Sequence, residues 1–132
     1  MSNKRNSEYI GERNRELWQA IVKAMNSLPY GSRISEIYEV AVNTPCSRLW
    51  ITPESACKVI SLLFRRKRNI CELSQSKADM MRYIIQRLPK DSKMPSLQMI
   101  EAIVYSPAPR FFIQPNSAMT IINNLRKRWR KR

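Results

Sequence analysis

The sequence predicts an all-α fold, a tandem duplication of a three-helix unit with about six helices in total. Three observations carry this expectation: apolar residues recurring at helical spacing, prolines that punctuate the helices, and an 18-residue stretch that occurs twice. Glu39 to Ala56 lies without a gap on Glu101 to Ala118, with Glu, Val, Pro, Arg, Ile, Pro, Ser and Ala identical at a separation of 62 residues. Thr/Ser, Leu/Phe and Trp/Phe replace each other in kind. Upstream, Trp18 to Pro29 maps on Ala78 to Pro89 at a separation of 60, so the second copy has two more residues before its motif. The expected organisation is a first repeat over 13–68, a second over 74–129, a flexible arm over 1–12 and a basic tail over 126–132.

The elements follow in order. Leu17, Trp18, Ile21, Val22, Met25 and Leu28 share one helical face, which predicts an amphipathic helix over about 14–28. Pro29 and Gly31 end it. Ile34, Ile37, Val40 and Ala41 predict a shorter helix over 33–43, stopped by Thr44-Pro45 because a residue before proline leaves the helical region. Cys46 to Ile51 reads as an extended connection. Thr52 is a good N-cap, Pro53 suits the first helical position and Glu54 favours the helix dipole, so a third helix runs to about Arg66.

Residues 69–77 read as a polar linker. The second copy then predicts helices over 76–88 and 95–105, a stop at Ser106-Pro107-Ala108-Pro109, a connection Arg110 to Ile113, and a helix opened by Pro115 over Ala118, Ile121, Ile122 and Leu125. Gln114 is a weaker cap than Thr52, which predicts a softer start.

Charge sets the function class. Lys and Arg number 24 against 10 acidic residues, a net charge of +14. The second half carries most of it, and so large an excess points to a polyanionic partner. Arg65, Arg66, Lys67 and Arg68 follow the first third helix; Arg126, Lys127, Arg128, Arg130, Lys131 and Arg132 surround Trp129 at the end. A helix dipole accounts for one or two cations at its C-terminus, not for four and six, whereas phosphates supply the missing counter-charge. Trp129 admits two readings, a stacking surface for a base or an indole folded back onto the core.

Arg48 and Arg110 hold equivalent places at the mouths of the third helices. Either they touch phosphate, or they pair with Glu39 and Glu101, which repeat at the same distance upstream. Trp50, Phe112, Leu49 and Phe111 are expected as core anchors of the connections. On the third helices Lys58, Thr120 and Asn124 are of the types that meet phosphates and base edges in a major groove.

A catalytic assignment finds little to stand on. There is no histidine, and neither a glycine-rich phosphate loop nor a clustered carboxylate pair is present. Cys46, Cys57 and Cys71 form no C-x-x-C pair, so neither a metal nor another cofactor is expected. The cysteine pattern suits a reducing cytoplasm. No apolar run reaches the length of a membrane span, and Met1 to Ser7 lacks the core of a signal peptide, so no membrane partner is expected.

Three short helices with a capped third helix leading into cations are similar in outline to the helix-turn-helix or homeodomain-like class. The S/T-P-x-x-R-aromatic-aromatic-I pattern, followed by a proline-capped helix, also resembles small proteins of gut bacteria and their mobile elements. The first resemblance implies nucleic-acid binding; the second implies a bacterial source and assigns no site residues. The expectation is a non-enzymatic nucleic-acid-binding protein, with double-stranded DNA favoured over RNA. The alternative is a protein interaction module with an acidic or RNA-containing partner. Oligomeric state and sequence preference are left open.

Overall fold

A computed structural model describes residues 9–90 and 94–130. Among them are six α-helices and no strand: α1 Ile10–Ser27, α2 Ile34–Val42, α3 Pro53–Phe64, α4 Gln75–Arg87, α5 Leu97–Val104 and α6 Pro115–Arg130. Helical periodicity accounts for each one. Leu17, Ala20, Ile21 and Ala24 are the buried stripe of α1, and Ala78, Met80, Met81 and Ile84 that of α4. The polar remainder of each helix faces solvent.

Helix ends follow capping chemistry. Thr52 Oγ1 accepts from Ser55 N at 3.2 Å, with Pro53 at the first helical position of α3. Ser74 and Ser96 accept from the backbone N–H groups of Lys77 and Met99 and so open α4 and α5. Gln114 does something else: its side-chain amide donates to Ser76 Oγ at 3.2 Å, fastening the start of α6 to α4.

Several boundaries differ from expectation. α1 begins at Ile10, inside the stretch expected as a loose arm; residues 1–8 lie outside the described residues. The linker is partly ordered, because Asn69 and Glu72 form a reciprocal capping box around a short 3-10 turn, Ile70–Glu72. α3 ends at Phe64 rather than Arg66. The basic tail is helical through Arg130, since Arg and Lys are good helix formers and the dipole favours them at that end.

Side-by-side packing groups the helices into two triads, α1/α2/α6 and α3/α4/α5. Each third helix therefore rests on the second helix of the other half of the chain: α6 on α2, and α3 on α5. Arg126 of α6 lies close enough to the phenol of Tyr38 on α2 to oppose the upward push of burial on its pKa. The connections that carry the third helices across run past each other. Cys46 and Ala108 pair in an isolated antiparallel bridge, Leu49 N donates to Val104 O, and Phe111 N donates to Val42 O, the last two both at 2.9 Å.

One apolar core joins the triads. Leu17, Leu49, Ile60, Met81, Ile84, Ile100, Val104, Phe111 and Ile122 are its largest fully buried members, drawn from both halves.

Candidate nucleic-acid interface

The crossing connections decide what their arginines can do. Leu49 and Phe111 are each 1% exposed, and Trp50 and Phe112 are buried beside them as expected for anchors. Trp50 stacks on Phe111 at 6.2 Å between ring centroids, and Phe112 packs on Tyr83 at 5.5 Å. Phe112 holds this place in the left-handed region, φ 56°, a strained choice for a bulky residue. The indole N–H of Trp50 meets no hydrogen-bond partner among the described residues, although it lies close enough to the Cys46 sulfur to favour the thiolate weakly.

Arg48 is drawn inward. Its Nε donates to Leu49 O at 2.9 Å and an Nη to Ile51 O at 2.8 Å, and its guanidinium lies 4.6 Å from the Tyr105 ring centroid and 5.5 Å from that of Tyr9. This arginine closes the carbonyls that the extended connection leaves open. Arg110 lies over Phe112 at 4.7 Å and reaches Asp79 at 3.6 Å; with its side chain 43% exposed, that ion pair contributes little to stability. Neither arginine pairs with Glu39 or Glu101. A carboxylate does hold the first connection, but it is Glu16 of α1, which accepts from the backbone N–H and the hydroxyl of Ser47. No sequence repeat pointed to it.

The basic helix ends are different. Arg65, Arg66 and Lys67 are exposed and Arg68 half-buried; Arg126, Lys127, Arg128 and Arg130 are exposed along the last turns of α6. Lys131 and Arg132 lie outside the described residues. Among the described residues the ion pairs are Arg82 with Asp79 and Arg110 with Asp79, so no carboxylate comes within 4.0 Å of either basic end.

α3 closes in a Schellman turn. Arg66 N donates to Leu63 O, Lys67 N to Leu62 O, and Arg66 takes φ 58°, a position that glycine fills more easily. Arg66, Lys67 and Arg68 line a cavity of about 480 Å³ together with Leu63, Ile70, Ile85 and the carboxylate-bearing Glu72.

Of the remaining expected contacts, Lys58, Thr120 and Asn124 are exposed, but the Thr120 hydroxyl donates to Asn116 O within its own helix. Trp129 folds back only in part: it meets Trp18 edge to face at 5.5 Å and stays 47% exposed, while Arg126 lies over the Trp18 ring at 5.7 Å. Among the described residues no group of three or more His, Cys, Asp or Glu side chains could hold a metal ion, and no helix is long and apolar enough to cross a membrane. Compared with protein-family models, with curated proteins and with solved structures, the chain finds no match.

Proposed function

We propose that this protein is a non-enzymatic nucleic-acid-binding protein that holds double-stranded DNA through the basic ends of α3 and α6. The observation that carries the reading is the pair of cation clusters, Arg65 to Arg68 and Arg126 to Arg130, nearly all exposed and with no carboxylate within 4.0 Å among the described residues, although Glu72 shares a cavity with the first cluster. Adjacent like charges repel unless counter-charge is supplied, and a phosphate backbone supplies it along its length. Lys58, Arg65, Arg66, Lys67, Asn124, Lys127, Arg128 and Arg130 are the exposed side chains that take part, joined by the half-buried Arg68 and by Arg126, which lies over the Trp18 ring. Arg48 and Arg110 serve mainly to set the connections that aim the third helices.

The same reading takes the repeated sequence as a duplicated unit whose copies have exchanged third helices. Duplex contacts from α3 and α6 then come from both triads, and phosphates give most of the affinity. Exposed Val22, Met25, Tyr30 and Ile34 around the α1–α2 turn favour the second reading, an interaction module for an acidic protein or an RNA-containing partner.

Binding of the full chain to random duplex DNA, structured RNA and an acidic polypeptide of matched charge at low salt separates the two. Tightest binding to duplex supports the first. Binding to the polypeptide alone supports the second.

A further inference from the structure

An apolar concavity that Arg128 of α6 helps to line lies between the start of α1 and the end of α6. Its volume is about 490 Å³, within the range of small-molecule sites. Ile10, Asn14, Trp18, Leu125 and Trp129 line it, together with Arg15 and Arg128. Arg126 already covers one part of Trp18, whereas Trp129 keeps nearly half of its surface open. A helix end built only to hold phosphates needs no indole in its last turn and no groove beneath it.

We propose that this groove takes an unpaired nucleobase, stacked on Trp129, with the flanking phosphates on Arg15 and Arg128. The inference rests on the nucleic-acid reading and adds a preference to it: single-stranded ends or gaps next to a duplex. A flat base suits the open face of Trp129, whose indole Trp18 meets edge to face, and the two cations that line the groove suit the phosphates next to that base. A base inside a duplex has both faces covered and cannot enter. An acidic peptide with an apolar side chain is the competing occupant.

The test compares three probes of equal nominal charge: a mixed-sequence single strand, the same strand made abasic, and a duplex. The bases should tighten binding to the single strand roughly ten-fold over the abasic strand, and the strand with bases should quench the fluorescence of exposed tryptophan. Trp129→Ala should bring the normal strand down to the abasic level while changing abasic and duplex affinity less than two-fold, and Trp129→Phe should restore part of the difference. Equal affinity for the two strands overturns the groove assignment, as does a Trp129→Ala variant that binds every probe more weakly or keeps the difference. Duplex binding in those cases leaves the phosphate-binding reading standing. Absence of binding to all three probes at low salt, with an acidic peptide bound instead, overturns both.

Discussion

Cys46 and Ala108 exchange both of their backbone hydrogen bonds, at 3.0 and 2.9 Å, across a sequence separation of 62 residues. The sulfur fills the space at this crossing, where it also contacts the carbonyls of Arg48 and Arg110 at 3.2 and 3.4 Å. The pair is where the two connections pass, and every third-helix contact with the opposite half depends on that passage.

Burial pushes the Cys46 thiol from its ordinary 9.0 up to about 11, the Arg48 backbone opposing and the Glu16 carboxylate adding to the push. The folded chain therefore holds this proton more tightly than the unfolded chain. Stability from the group is complete below about pH 9 and is lost as pH rises towards 11, on the order of 2 kcal/mol in all. Urea unfolding at pH 8.5 and 10.5 should show a larger drop for wild type than for Cys46→Ala. Equal drops would contradict the burial argument.

Arg48 is a clamp. Replacing it with Ala leaves two carbonyls of the connection without their donors and should cost about 2 kcal/mol of stability. Its effect on the salt dependence of DNA binding should be small. A variant of wild-type stability whose salt slope falls would instead make Arg48 a phosphate contact.

Arg66 pays a backbone strain that glycine would relieve. At φ 58° in a Schellman turn, Arg66→Gly should stabilise the fold by about 0.5 to 1 kcal/mol while removing one cation. Thermal unfolding and DNA titration of this variant should move in opposite directions. A lower Tm would show that the side chain supports the turn.

Cutting the chain after Arg68 separates two halves, each left without the third helix that packs against its second. Fragments 1–68 and 69–132 should each lack a cooperative monomeric unfolding transition, and mixing them should restore it. A first fragment that folds alone as a monomer would show that α3 can return to its own half.

Much of the helix pattern was legible in the residues, because burial of a stripe is written in a 3.6-residue period. The partner of each stripe was not. A period says which face of α3 is buried, not against what, and the second helices of both halves offer an apolar face. The connections make the choice: Pro45 in the first and Pro107 and Pro109 in the second keep the chain from continuing as helix, and the Cys46–Ala108 bridge carries it across. Site residues divide in the same way. Exposed cations at helix ends follow from charge density alone, whereas the inward turn of Arg48 depends on carbonyls that only the folded connection brings together. Glu16 gave no signal, since one carboxylate on a helix face looks like any other.

The most direct measurement is the affinity of the full chain for random duplex DNA from about 50 to 300 mM salt, beside a variant with Lys127, Arg128 and Arg130 changed to Gln. Phosphate contact by the basic helix ends predicts a log–log slope between about −4 and −8 for wild type, reduced in magnitude by roughly 2 to 3 in the variant. A slope near zero, or one that the three replacements leave unchanged, would contradict it.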